Sequence, residues 1–483
     1  MNILGISAGF HDAAATVIDS NGDIVYAGHS ERYSKIKNDA NLHLDMFWEL
    51  SDGRHIDHIA YYETPWKKQL RQLYSGQGIE WDQLTAKQAV RKQLGGYFSS
   101  VPISTHSHHL SHAAAGFQTS PFNKATVVVI DAIGEWDTIT IWGAHYDNGV
   151  ARYHPLWRQR YPYSLGLFYT AITARVGLRP MEDEYVLMGM SAYGEAWHTD
   201  TMQILLKENL HAGVDHVFLP TAKDTDIAAS AQVILEQEIY KVMQRAKDFG
   251  WSRNLVYQGG VALNCLANRN LNEYFENIWI MPCPGDSGSS LGAAALAYGH
   301  KINWRNAYLG TEISGTYPVS ACLDHLLRDR IVGVACGRAE FGPRALGNRS
   351  LLADPRGSDI KDRVNAIKQR QQFRPFAPVI LEEYADEYFD IPSGWCDTRY
   401  MQVVGRCRHP DLFPAITHVD GTSRIQTVPA DGSGIRKLLE AWHEKTGCPM
   451  LLNTSLNIRG EPMVNDRDDA DRFQDRYGIT VCS

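Results

Sequence analysis

Two stretches of the chain share one layout, and this repeat constrains the fold more than any other feature. "NILGISAGFHDAAATVIDSNGDIVYAGHSE", from Asn2, reads as an apolar strand, a small-residue turn carrying an acid, a second strand, an Asn21-Gly22 turn and a third strand. "TVVVIDAIGEWDTITIWGAHYDNGVARYHP", from Thr126, repeats that order, with Asp131 in the turn and Asn148-Gly149 as the hairpin. Asn-Gly between strand-like runs is a strong hairpin signal, because both residues tolerate positive φ. A duplicated unit with glycine and an acid in its turn suits backbone amides facing phosphate and a carboxylate facing a metal. Two unrelated hairpins would give the same string of signals, so other residues must decide.

The chain has 483 residues, enough for two to four domains. Its 44% apolar and 21% charged residues are globular values. A net charge of −8 argues against a protein that coats nucleic acid. Eight cysteines are scattered without a CxxC pair, which points to free thiols in a reducing cytoplasm. "MNILGISAGFHDAAATVI" lacks a basic flank and is interrupted by His11 and Asp12, so it fits a buried first strand better than a signal peptide. No apolar run approaches the ~18 residues that cross a bilayer. The expected localisation is cytoplasmic, with no membrane contact.

A helix-rich stretch with glycine turns is expected over 164–300. "RNAYLGTEISGTYP" near 305–318 is turn-rich, without periodicity, and is the candidate linker. Beyond it the charge changes sign: Arg338 to Arg374 carries nine Lys or Arg against four Asp or Glu.

"HSHHLSHAAAGF" holds four histidines in seven residues. His108 and His112 are four apart, so on a helix they share a face, with Ser104 or Thr105 available as a cap. HxxxH alone equally describes a solvated surface. Asp131, ending an apolar strand, and Asp286, in the glycine-rich turn "PCPGDSGSSLGAA", add weight to a metal site, since two His with one or two Asp form a ligand set suited to iron, manganese or zinc. "YQGGVALNCLANRNL" and "GDSGSSLGAA" lead glycine turns into helices, where amides can meet phosphate, and no GK[ST] is present. Their candidate nucleotide contacts are Gly259, Gly260, Asn264 and Gly285. Such turns are also ordinary punctuation.

In "GRAEFGPRALGNRSLLADPRG" and "IKQRQQFRPFAP", Arg338, Arg344, Arg349, Arg370 and Arg374 are interleaved with Gly342-Pro343 and Pro375. That spacing places guanidinium forks on turns, ready for phosphate or carboxylate. "THVDGTSRIQTV" and "LLNTSLNIRGEP" add His418, Arg424, Asn453, Thr454, Ser455 and Asn457, which are nucleotide ligands or turn residues.

"GISAGFHDAAAT", "SHHLSHAAAGF", "YPYSLGLFYTAIT", "LMGMSAYG", "GGVALNC", "GDSGSSLGAA", "GRAEFGPRALGNRS", "FRPFAP", "THVDGT" and "NTSLN" follow one another here as in the NodU/CmcH-type O-carbamoyltransferases. The chain resembles that family from Asn2 to about Val464. The resemblance implies an α/β protein of two domains. Residues 1–312 would form a metal-binding domain with a duplicated, actin-like ATPase fold. Residues 313–483 would resemble the domain that makes threonylcarbamoyl-adenylate. The implied reaction joins carbamoyl phosphate and Mg-ATP into carbamoyl-adenylate and pyrophosphate, then moves the carbamoyl group to an acceptor hydroxyl, releasing AMP.

By the same resemblance His108, His112, Asp131 and Asp286 hold a divalent metal, iron first, with manganese or zinc as alternatives. Arg338, Arg349, Arg370, Arg374, His418, Asn453 and Ser455 line the site for carbamoyl phosphate and ATP. His11, Asp12 and Arg344 are the catalytic candidates, His11 as general base, and Lys37 contacts the acceptor. His106 and His109 are supports or neighbours. The expected acceptor is a small hydroxylated molecule, a natural-product sugar or alcohol or a hydroxymethyl-pyrimidine nucleotide. A homodimer is compatible with all of this.

Three features depart from the family. Val186 in "EYVLMG" stands where the family carries lysine, so another cation must serve if that lysine meets a phosphate. Gln371 in "KQRQ" replaces an acid, and the chain is shorter than typical. A tRNA-directed threonylcarbamoyl-type transferase fits the domain analogy but not the charge. A non-haem iron oxygenase would leave the arginine region idle, and a regulatory nucleotide binder would need no chemistry.

Overall fold

A computed structural model describes the chain apart from His216, Gln372, Pro375 and Ser433. Pro375, expected to fix the backbone beside the arginines, therefore lies outside the described residues. The chain forms two compact units. The first comprises Met1–Ser30, Asn38–Arg305 and Gly394–Cys396. The second comprises Glu31–Lys37, Asn306–Ser393 and Asp397–Ser483.

The first unit contains two sheets built on one plan. In the first sheet, β1 (Ile3–Ser7), β2 (Ala14–Ile18) and β3 (Ile24–His29) form an antiparallel meander. β4 (His58–Tyr61) then pairs parallel to β1, and β5 (Ile103–Thr105) parallel to β4. The second sheet repeats this with β6 (Lys124–Gly134), β7 (Asp137–Asp147) and β8 (Val150–Arg160) as the meander. β9 (Asn254–Gln258) and β10 (Asn277–Trp279) are its parallel pair. Each sheet therefore runs 3-2-1-4-5 in its own numbering.

The repeat read from sequence is thus one topology used twice, although its two hairpins close differently. Asn148 and Gly149 both take positive φ (48° and 79°) as a two-residue turn between Asp147 and Val150. In the first copy only Gly22 does (83°), and Asp19 accepts the amides of Asn21 and Asp23 to close a longer loop.

β1 and β2 are buried throughout, as two-sided cover requires. Small residues set how closely that cover approaches. A Cβ on Gly5 would lie 2.0 Å from the Ser290 carbonyl oxygen, so the helix Ser289–Tyr298 rests directly on β1.

In the second unit six strands are ordered Gln426–Val428, Ala377–Leu381, Met450–Ser455, Arg349–Ala353, Ile331–Ala335 and Val481–Cys482. The helices Val319–Asp329 and Gly434–Thr446 bury Leu326, Ile435, Leu438, Leu439 and Trp442 into this unit's core. The passage at 305–318 is no loose linker. Tyr308–Ile313 is a strand antiparallel to Gly337–Glu340, and the expected boundary at 312 falls inside it. Alternating turn residues hid this short edge strand. Among the described residues no helix is long and apolar enough to cross a membrane.

Candidate functional site

His108 opens the helix His108–Thr119. Ser107 occupies its N-cap position without a side-chain cap bond, while Ser104 and Thr105 belong to β5 rather than to a cap. The helix owes its position to small side chains. A Cβ on Gly116 would meet the Val256 and Gln258 side chains at 2.5 and 2.6 Å. A Cβ on Gly292, in the helix that follows Asp286, would fall 1.8 Å from the Ser111 carbonyl oxygen. "SHAAAG" and "SSLGAAA" therefore let two helices touch backbone to backbone. That contact delivers His112 to Asp286.

Four buried ligand atoms converge there, all within 4.8 Å of one another: those of His108, His112, Asp131 and Asp286. His108 Nε2 lies 3.3 Å from both Asp131 Oδ2 and Asp286 Oδ1. His112 Nε2 lies 3.5 and 3.2 Å from the same two oxygens. Asp131 is not in the hairpin turn, which lies at Glu135-Trp136. It sits in β6 where regular pairing breaks after Ile130. The Gly260 amide donates to Asp131 Oδ1 at 3.1 Å and fixes its direction. His112 Nδ1 lies 3.1 Å from the Pro284 carbonyl oxygen. A carbonyl only accepts, so Nδ1 carries the proton and Nε2 turns its lone pair toward the carboxylates. Two neutral imidazoles and two carboxylates make a set of charge −2, which fits one divalent ion.

Charge in this pocket is strongly coupled. Burial pushes His108 and His112 down, but the two carboxylates outweigh it and raise both. Burial pushes the carboxyl of Asp131 up, yet the imidazoles hold it well below its usual range. His11 stands beside this group, its Nε2 3.5 Å from Asp286 Oδ2 and its Nδ1 2.9 Å from Asp12 Oδ2. Burial lowers His11, but Asp286, Asp12 and Asp131 carry it up to about 9. Its ring is 22% exposed, so it is the histidine here that a ligand can reach.

His109 turns away, with Nδ1 3.0 Å from Thr140 Oγ1, and burial beside His108 holds it well below its ordinary value. His106 shares Ser104 Oγ with His58, and burial pulls it to about 4.

The glycine turns serve this geometry. The Gly259 amide donates to the Pro284 carbonyl and that of Gly260 to Asp131, so neither points into open space. Asn264 caps Ala267 and exchanges two 3.0 Å bonds with Gln232. Gly285 has open space where a Cβ would stand. Val186 is buried on the helix Glu184–Met190, at 1% exposure, so that position presents no cation to solvent.

The second unit gathers the basic residues. Arg338 lies on the strand Gly337–Glu340 and donates to the Gly310 and Leu309 carbonyls. Arg349 begins a strand instead of occupying a turn. Its guanidinium is buried and donates to the carbonyls of Cys336, Gly337, Asn348, Thr311 and Asn465. Every N–H of Arg349 is thereby engaged. These bonds tie the start of its strand to the Cys336-Gly337 turn, Thr311 and Asn465. Glu340 Oε1 accepts the Leu346, Asn348 and Arg349 amides and holds the Phe341–Asn348 loop, which carries Arg344.

Lys368, which opens the "KQRQ" stretch, is the buried cation that the choice of arginines missed. Its Nζ donates to Ser455 O at 2.7 Å, Ser455 Oγ at 3.3 Å and the Asn457 side chain, all neutral oxygens. Burial, then Arg370, Arg374 and Lys37, push it well below its ordinary value. Lys37, expected at the acceptor, thus adds its charge to this cluster. Arg370 donates to Asn365 Oδ1 and covers the Phe376 ring at 4.0 Å. Arg374 reaches Gln371 Oε1 at 3.4 Å. Asn453 donates to Ala345 O and Gln426 Oε1, and His418 Nδ1 lies 3.5 Å from Asp420 Oδ1.

Residues 60–216 and 197–295 match the carbamoyltransferase N-terminus family, and residues 323–482 match the carbamoyltransferase C-terminus family. Nodulation protein NolNO of Sinorhizobium fredii is 32% identical, over 95% of this chain and 76% of that one. The chain belongs to the carbamoyltransferase family. The 3′-hydroxymethylcephem-O-carbamoyltransferase of Amycolatopsis lactamdurans is 30% identical, over 66% of this chain and 67% of that one. Nodulation protein U of Azorhizobium caulinodans is 37% identical, over 52% of this chain and 48% of that one. This carbamoyltransferase is therefore an enzyme of the NodU and cephem transferase type, and the His108, His112, Asp131 and Asp286 cluster lies inside the segment matched by the N-terminal family.

Proposed function

We propose that the enzyme activates carbamoyl phosphate with Mg-ATP as carbamoyl-adenylate and passes the carbamoyl group to a hydroxyl of a small acceptor. The observation that carries the two-step reading is Lys368. It is a buried ammonium whose contacts are neutral oxygens, pressed by three further cations. Such a cluster is unfavourable until polyanionic oxygen enters it, and ATP together with carbamoyl phosphate supplies that oxygen. Arg338, Arg344, Arg370 and Arg374 would share the phosphates, with His418, Asn453 and Ser455 as polar contacts. Atom balance requires that one water be consumed and that phosphate leave along with pyrophosphate.

Transfer is assigned to the first unit, whose duplicated topology supports the actin-like reading. The second unit takes the adenylate-forming role by its resemblance to threonylcarbamoyl-adenylate synthases. His108, His112, Asp131 and Asp286 would hold the metal, which when bound polarises the carbamoyl carbonyl as a Lewis acid. His11, oriented by Asp12, would accept the acceptor's hydroxyl proton at a ring nitrogen once a bound divalent ion offsets the carboxylate charge that carries its pKa up to about 9. Closure of the two helices over Asp286 keeps water from that exchange. Of the glycine turns, Gly285 leaves open space beside Asp286 for the adenylate end, while Gly259, Gly260 and Asn264 shape that wall from behind. A relative named for a 3′-hydroxymethylcephem supports a primary alcohol, on a natural product or a hydroxymethyl-pyrimidine nucleotide.

The test is isotope exchange between pyrophosphate and ATP, with and without carbamoyl phosphate. Exchange that requires carbamoyl phosphate supports adenylate formation. Carbamoyl transfer without AMP release would refute it.

A further inference from the structure

Lys68 and Glu63 form a buried ion pair that the transfer chemistry leaves unused. Their Nζ and Oε1 are 2.8 Å apart, and each side chain is 5% exposed. Such a pair roughly breaks even in stability, because desolvation cancels the attraction. Its contacts point to another task. Lys68 Nζ also donates to the Gly9 carbonyl oxygen at 3.1 Å, and Tyr61 Oη donates to the preceding carbonyl, of Ala8, at 2.6 Å. The two bonds hold successive peptides of the loop that ends in His11. Gly9 sits at φ 97°, where a Cβ would approach Gln83 and Tyr61 at 3.2 and 3.4 Å, and Asp12 sits at φ 54°. A loop bent this way relaxes unless its surroundings hold it. Lys68 Nζ further lies 5.8 Å from the Phe10 ring, which packs on the His11 ring at 4.8 Å.

The same short segment reaches the opposite wall. Thr64, beside Glu63, donates its amide to Glu135 Oε1 at 2.6 Å. Glu135 follows Gly134, where a Cβ would lie 2.5 Å from the His108 and His109 rings. Glu63 to Lys68 thus ties the His11 loop to the turn that leans on the candidate metal-ligand helix.

We infer that Lys68 is a positioning residue that fixes His11 through the Gly9 carbonyl, with Glu63 as its counter-charge; this rests on reading His11 as the proton acceptor in carbamoyl transfer. The full chain is compared as wild type, Lys68→Met and Glu63→Gln/Lys68→Met. The readouts are amide hydrogen exchange by peptide, Tm, metal content and carbamoyl-phosphate-dependent pyrophosphate exchange. Lys68→Met strands the Glu63 charge and lowers Tm, and the double variant recovers it. In both, amides of Ala8–Ala13 exchange about tenfold faster, while the His108–Thr119 peptide and pyrophosphate exchange match wild type. A role confined to stability would be repaired in the double variant together with Tm. Unchanged protection of Ala8–Ala13 in Lys68→Met, or its return in the double variant, overturns the inference. If Lys68→Met does not fold, the double variant alone decides. Lack of pyrophosphate exchange in wild type would strike the activation reading instead, so the two failures are distinct.

Discussion

His112 Nδ1 faces the Pro284 carbonyl oxygen at 3.1 Å, and this bond settles which nitrogen of the ring is left to bind. Nε2 is the atom that joins His108, Asp131 and Asp286. Replacing His112 with Asn removes one of the four candidate ligands, so metal affinity should fall by at least about 100-fold. Metal content after dialysis checks this. Added metal should also stabilise the wild type, by about 2.7 kcal/mol at 100 times its Kd, and should leave the variant's Tm unmoved.

Gly292 lets the helix Ser289–Tyr298 lie against Ser111, where a Cβ would sit 1.8 Å from a carbonyl oxygen. That neighbour is backbone and cannot swing aside. Gly292→Ala is expected to cost about 3 kcal/mol by forced separation of the helices, read in urea unfolding. Asp286 moves with its helix, so metal affinity should fall although no ligand has changed.

Lys368→Met is expected to lower carbamoyl-phosphate-dependent pyrophosphate exchange by about 100-fold or more. The ammonium contacts neutral oxygens only, so no carboxylate is stranded and the cost of leaving those oxygens without this donor should stay within about 1–3 kcal/mol. Pyrophosphate should raise the Tm of wild type and not that of the variant. Metal content should stay as in wild type, because the ligand set belongs to the first unit.

Arg349→Met should behave in the opposite way. The side chain is fully buried and donates to five backbone carbonyls, so its loss leaves them without partners. A cost of about 3–5 kcal/mol is expected in chemical unfolding. Any loss of activity should follow the unfolded fraction rather than a raised KM for ATP.

The acid limb of stability should depend on Asp420. Burial raises its carboxyl, but His418 and Thr422 outweigh this and hold it at about 2 against an ordinary 3.8. The unfolded chain therefore binds the extra proton between those values, so the stabilisation is present above 3.8 and is lost as pH falls through 2. Asp420→Asn should cost roughly 1–2 kcal/mol at pH 7, after screening at a side chain 30% exposed, and nothing near pH 2. Tm measured against pH checks the convergence.

The duplicated strand plan was legible because hairpins are local: Asn148 and Gly149 carry positive φ within two residues of each other. The His108/His112 pair was legible for the same reason, since four residues make one helical turn. The ten ordered motifs added the family, and with it the assignment of both Asp131 and Asp286, already candidates from their local sequence, to one ligand set with that pair. Sequence misjudged what local signals cannot carry. Tyr308–Ile313 is a strand only because Gly337–Glu340 pairs with it, and Arg349 is saturated only because the carbonyls of Thr311, Cys336, Gly337 and Asn465 are brought around it.

What the sequence alone determined is the set of parts: buried strands, glycine turns, an i,i+4 histidine pair and a cation-rich second half. Their meeting was decided by tertiary structure. Asp286 reaches His112 across 174 residues because glycine and alanine let two helix backbones touch. Lys37 charges Lys368 from across the chain because Glu31–Lys37 folds with the second unit. Lys68 reaches the Gly9 carbonyl across 59 residues because β4 lies parallel to β1. Period and propensity report on neighbours along the chain, whereas charge, burial and ligand geometry depend on neighbours in space.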